Sequence, residues 1–324
     1  MLSVRDVEAA RLIADRYLPR APIERSPYLS QLLGAEILLK IETFKPTRTF
    51  KVRGALNKIA SLDDEHRSRG VVAASAGSHA QGVSYAAYRL GAPATVVMPR
   101  GVSDTIVGVC RAYGAQVLLE GEMYDDTLAL AHRIERDQGM TFVHPYADPL
   151  IIAGQGTIGL EILDDVPDVD LVIVPVGGGG LIAGTALALK ERRPDVRVVG
   201  VEPEGADAVR RSREAGHPVI VEQPHSVADK LVAKGTEQLN VDLVRKYVDD
   251  IVTVTDAALE SATYDYLERL SLLVEPSGAA TLAAVRSGAV RARGKTVLIV
   301  SGGNADTRVL ARILAEHAVK AAPV

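Results

Sequence analysis

The sequence predicts an α/β protein in which parallel sheets are covered on both faces by helices, and three observations carry this. First, a unit of aliphatic strand, small-residue turn and helix recurs. Val71–Ala74 runs into Ser75-Ala76-Gly77-Ser78, residues 171–176 into Gly177-Gly178-Gly179-Gly180, and residues 296–300 into Ser301-Gly302-Gly303-Asn304. Second, further aliphatic strands are expected at Ala94–Met98, Gln116–Leu119, residues 196–201 and Asp250–Val254, alternating with helical stretches. Third, 47% of the 324 residues are hydrophobic and 28 are Gly, yet aromatics make up only 4%, which suits buried parallel strands with tight turns. The length allows two lobes, formed by a chain that leaves one sheet and returns.

In such sheets ligands bind beyond the carboxyl ends of the strands, near helix N-termini, so the three turns are expected to build one site. The four glycines are the most informative. Following a fully apolar strand, they let several N–H groups point outward at the positive end of a helix, a cradle for phosphate. The plainer alternative is that glycine relieves crowding between helix and strand. Because the tract lacks the Gly-Lys-Ser/Thr ending of a nucleotide loop, a small phosphorylated cofactor suits it better than ATP or NAD. The 75–79 turn offers similar N–H groups to a carboxylate, or a plain helix cap at Ser75 or Ser78. Lys51, between Phe50 and Val52, is chemically useful only with a lowered pKa, from burial or from Arg48 or Arg53. Ser301 and Glu275 are each either a helix start or a ligand contact.

Several classes are excluded. A formal net charge of -4 with scattered basic residues argues against a nucleic-acid binder. The single cysteine, Cys110, excludes a disulfide framework and a cysteine-rich zinc site, and buried packing is expected for it. The N-terminus lacks the apolar core of a signal peptide, and no apolar run approaches the roughly 20 residues of a membrane span, so a cytoplasmic protein is expected.

Taken in order, these segments resemble the fold-type II pyridoxal-phosphate enzymes, within them the serine/threonine dehydratase and serine racemase group. The matching stretches are Lys40-Ile41-Glu42 through Lys51-Val52-Arg53-Gly54-Ala55, residues 75–81, residues 152–157, the four-glycine turn, residues 200–203, Glu275-Pro276 and residues 301–304. The resemblance implies two parallel-sheet αβα lobes with pyridoxal 5'-phosphate between them. We expect residues 1–65 and 147–324 to form the large cofactor-binding domain and 66–146 the small one. It implies that Lys51 carries the cofactor as a Schiff base and then moves the Cα proton, with Phe50 over one ring face. Gly177, Gly178, Gly179, Gly180 and Leu181 would hold the phosphate, Ser301 the pyridine nitrogen, and Ser78 and Glu275 would lie beside the ring. Ser75, Ala76, Gly77 and His79 would grip the substrate carboxylate. A hydroxyl such as Ser301 leaves the ring a weak electron sink, which favours prompt β-elimination. The implied activity is an ammonia-lyase dehydrating a β-hydroxy amino acid such as L-threonine or L-serine to a 2-oxo acid and ammonia, in a homodimer by family habit.

Four departures qualify this expectation. Arg48-Thr49 replaces a Gly-Ser pair, Ser78 an Asn that contacts the cofactor's 3'-oxygen, and Lys230 a Gly against the ring. Ala208 stands at the third ligand position of a divalent-cation site that relatives build with Glu202 and the Ala206 carbonyl, so no metal is expected. Arg48 and Lys230 together suggest a basic cleft and an acidic substrate such as 3-hydroxyaspartate as one alternative. A racemase is the other; its second acid/base would be a Ser where Ala76 stands here.

Overall fold

A computed structural model describes residues 2–320. Among these, the strands in chain order are β1 (Ile23–Arg25), β2 (Glu36–Ile41), β3 (Val71–Ala74), β4 (Ala94–Met98), β5 (Gln116–Leu119), β6 (Thr141–Phe142), β7 (Leu171–Pro175), β8 (Arg197–Pro203), β9 (Asp250–Val254) and β10 (Lys295–Val300). They form two sheets. The smaller runs β5-β4-β3-β6 and is wholly parallel. The larger runs β1-β2-β10-β7-β8-β9, with only the edge strand β1 antiparallel. The expected strands are all present within two residues of the expected ends; β1, β2 and β6 are additional.

Strand alternation divides the larger lobe's core into two layers. Val172, Val174, Val297 and Ile299 pack with the helices Pro149–Asp165 and Gly180–Arg192 on one face. Leu171, Ile173, Leu298 and Val300 pack with the helices Asp256–Leu270 and Pro276–Arg286 on the other. Covered on both faces, β7 and β10 need no polar side, which is why they read as continuous aliphatic runs. In the smaller lobe, Val71, Ala73 and Val96 share a core with Cys110, buried as expected. That core also takes in Val52, Ala55, Leu56 and Ile59 of the helix Lys51–Ala60. The same helix crosses Pro149–Asp165 so closely that a Cβ on Gly154 would lie 2.6 Å from the Gly54 Cα. The lysine-bearing helix therefore lies at the seam of the two lobes.

Candidate active site

Lys51 is the first residue of its helix, with Phe50 at the N-cap position. Its Nζ donates to the Pro145 carbonyl at 2.8 Å and lies 5.4 Å from the centroid of the Phe50 ring. Burial lowers its pKa from 10.5 to about 8. The neighbouring arginines are not the cause. Arg53 is buried and fully engaged: its guanidinium donates to both Glu42 oxygens at 2.8 Å, to Glu161 at 2.7 and 2.8 Å, and to Thr157 at 2.9 Å. Lys40 and Lys45 complete this buried network, donating to the carbonyls of Ala21 and Pro19. Arg48 is exposed and adopts φ +56°, a left-handed conformation that explains why a Gly is expected there.

The glycine tract lies across the cleft from the amine. Gly179 has φ +90° at the N-cap of Gly180–Arg192, and among the described residues no side chain caps that helix. The Gly178 carbonyl accepts from Thr236 Oγ1 at 2.9 Å and Asn240 Nδ2 at 2.6 Å. That fixes its peptide plane, so the Gly179 N–H points the opposite way and the first helical N–H groups remain unpaired within the helix. Both sequence alternatives hold at once. A Cβ on Gly178 would fall 2.3 Å from the Tyr146 ring, and one on Gly180 would fall 2.4 Å from the Tyr146 carbonyl, so crowding also demands glycine.

One cleft brings together Phe50, Lys51, Ser78, the residues 177–181, Lys230, Glu275 and Ser301. Ser301 is no helix start, since the next helix begins at Thr307. Its carbonyl accepts the Phe50 N–H at 3.2 Å, which docks the lysine segment on the end of β10. The Ser78 hydroxyl accepts from Asn304 Nδ2 at 3.2 Å. Ser75, Ala76, Gly77 and His79 do not line the cleft with their side chains. The Ser75 hydroxyl accepts the Gly77 N–H at 3.2 Å, and Ala76 is exposed. The His79 ring is buried and donates from Nε2 to the Val143 carbonyl at 2.9 Å. Burial, then the charge of Lys51, pushes its pKa down to about 3, so it stays neutral and only its main-chain N–H remains for a carboxylate. The helix Ser78–Leu90 has no side-chain cap among the described residues, which leaves that end open to an anion.

Lys230 corrects the expectation of a basic cleft. Its ammonium lies 3.0 Å from Asp229 and 3.1 Å from the buried Glu275 carboxylate. Burial alone would lower its pKa, but Glu275 and then Asp229 carry it above the usual lysine value. The cation is matched by two carboxylates, and Arg48 faces solvent. After β8, where no metal is expected, Glu202 accepts the Val209 and Arg210 N–H groups at 3.0 and 2.7 Å, and Asp207 is bracketed by Arg210 and Arg211. No cluster of three metal-ligating side chains occurs among the described residues.

Sequence reasoning missed Pro145, Tyr146 and Gln155, which line the cleft, and Thr236, Asn240 and Asn304, which hold its walls. Gln155 is 1% exposed and its Oε1 has no partner among the described residues, leaving a free acceptor at the wall. Its place in the Gly154-Gln155-Gly156-Thr157 stretch was the only available signal.

A lysine with a lowered pKa facing an uncapped glycine turn at the carboxyl ends of parallel strands is a site suited to a phosphorylated cofactor that reacts with an amine. The family's sequence pattern matches residues 15–302, and the chain belongs to the pyridoxal-phosphate dependent enzymes, with their fold-type II architecture. It is 44% identical to the L-threonine ammonia-lyase of Thermotoga maritima over 99% of this chain and 80% of that protein. Against the catabolic L-threonine dehydratase of Staphylococcus aureus it is 40% identical, covering 95% and 91%. Maize serine racemase superposes with a TM-score of 0.91 at 35% identity, covering 98% of both chains. No helix among the described residues is long and apolar enough to cross a membrane.

Proposed function

We propose that this chain is a pyridoxal-phosphate-dependent ammonia-lyase that removes water from L-threonine or L-serine, giving a 2-oxo acid and ammonia. The observation that carries this reading is the buried Lys51 amine in one cleft with the uncapped glycine turn and the Ser301 hydroxyl. When bound, the cofactor supplies the electron sink for the Cα carbanion. Residues 177–181 would hold its phosphate through main-chain N–H groups, Phe50 would cover a ring face, and Ser301 would meet the ring nitrogen. Lys51, with its pKa lowered to about 8, would take the Cα proton. The N–H groups of Ser78 and His79 would orient the substrate carboxylate, and the cofactor would sit between a small domain of residues 66–146 and a large one of the remainder. The names and identities of the Thermotoga and Staphylococcus relatives support the same reaction.

A racemase has less support despite the maize structure, because Ala76 carries no proton and Ser75 is engaged within its turn. We also propose a cytoplasmic homodimer, the second point being open to light scattering. The primary test incubates the purified holoenzyme with L-threonine and L-serine and measures 2-oxo acid, ammonia and serine chirality. Equal release of oxo acid and ammonia, absent in Lys51→Ala, is expected; D-serine without oxo acid would overturn the proposal.

A further inference from the structure

We propose that Lys230 is a positioning residue for the cofactor: its ammonium donates to the phenolic-oxygen edge of bound pyridoxal phosphate, a contact that the short Ser78 hydroxyl leaves open. This rests on the reading above that the cleft holds that cofactor. In pyridoxal phosphate the carbon that joins a lysine amine is para to the ring nitrogen. The phosphate arm and the phenolic oxygen flank that carbon on opposite sides. With the amine at Lys51, the nitrogen at Ser301 and the phosphate at residues 177–181, the oxygen faces the wall away from the glycine turn.

Lys230 reaches that wall. Its carbonyl would lie 3.2 Å from a Cβ on Gly177, while its Cε would lie 3.7 Å from a Cβ on Gly77, the residue before Ser78. The side chain thus leaves the phosphate end and spans the cleft towards the 77–78 turn. Ser78 offers one short hydroxyl donor, whose oxygen is held by the Asn304 amide donating to it at 3.2 Å, where a longer side chain would reach further into the cleft. The ammonium donates to both Asp229 oxygens at 3.0 Å and lies 3.1 Å from Glu275; Asp229 is mostly exposed, so water can replace a donor that turns from it to another oxygen. Glu275 keeps the head in place: it is 2% exposed and Lys230 is its cation.

A second role for Lys230, as mere counter-charge to Glu275, is separated by four reconstituted holoenzymes: wild type, Lys230→Met, Glu275→Gln and the double variant. The double variant carries no stranded buried charge, so it keeps the comparison valid if Lys230→Met alone folds poorly. A cation beside the phenolic oxygen favours the charge-separated, visible-absorbing form of the lysine-linked cofactor over the neutral near-ultraviolet form. At fixed neutral pH, Lys230→Met and the double variant should each lose about tenfold in the visible-to-ultraviolet ratio, and cofactor affinity of the apoprotein should fall similarly, the weight of one charge-assisted hydrogen bond. Glu275→Gln alone loosens the head but keeps the cation, so it should fall between wild type and Lys230→Met. A double variant with wild-type ratio and affinity would overturn the proposal, leaving Lys230 as counter-charge only. A wild-type protein lacking any Lys51-dependent visible band would instead overturn the cofactor reading itself.

Discussion

Replacing Lys51 by methionine in the cofactor-free protein should raise its stability at neutral pH while abolishing its chemistry. The amine is buried, and its pKa falls from 10.5 to about 8 through desolvation. That gap corresponds to roughly 3 kcal/mol, at about 1.4 kcal/mol per pH unit. Methionine has a similar reach and no charge to bury, but it forfeits the 2.8 Å bond to the Pro145 carbonyl, worth about 1 kcal/mol. The variant should therefore be about 2 kcal/mol more stable at pH 7. Between pH 8 and 10.5 the unfolded wild-type lysine still binds its proton while the folded one has released it, so wild-type stability rises with pH. The methionine advantage should vanish over that window. Lys45, whose pKa is likewise pushed down to about 8, first by burial, is common to both proteins and cancels. Urea unfolding of the two apoproteins at several pH values measures the difference. A variant no more stable than wild type at pH 7, or a difference independent of pH, would refute the argument.

Three other perturbations have defined outcomes. Arg53→Met removes five hydrogen bonds, four of them to the buried Glu42–Glu161 pair and one to Thr157, and should destabilise the protein by about 3–5 kcal/mol. Because Arg53 and Lys40 hold the Glu161 carboxyl well below the usual range against its burial, this penalty should be full above that range and shrink as the pH falls through it; denaturant midpoints report both. Gly178→Ala places a methyl 2.3 Å from the Tyr146 ring and should cost about 1–3 kcal/mol and weaken cofactor binding at least severalfold, read by thermal unfolding and cofactor titration. Arg48→Gly relieves a left-handed residue worth about 1–2 kcal/mol but loosens the unfolded chain by about 0.4–1 kcal/mol, so a net gain near 0.5 kcal/mol should appear in the unfolding midpoint.

The parts of the fold that were legible are those whose local chemistry matches their final environment. β3, β7 and β10 are buried on both faces and read as aliphatic runs ended by small residues. β2 escaped because Lys40 interrupts its pattern: a lysine normally marks a surface, yet this one is wholly buried against Glu161. β6 has two residues, too few for any periodicity. At the site, Lys51, Ser301 and the glycines were legible through their order along the chain. Tyr146, Thr236 and Asn240 were not, since they meet the glycine turn only through long-range folding from loops and a helix start. The net charge near Lys230 was illegible for the same reason, because its buried partner, Glu275, is far along the chain.

The buried network around Arg53 ties residues 19–21 to the helix that begins at Lys51. Lys40 and Lys45 are buried side chains, and their heads donate to the Ala21 and Pro19 carbonyls. The N-terminal segment is thus a stopper, and withdrawing it uncorks two ammonium groups beside the helix that presents Lys51. Docking of residues 19–21 is therefore a condition for closing the polar cluster that abuts the Lys51 helix.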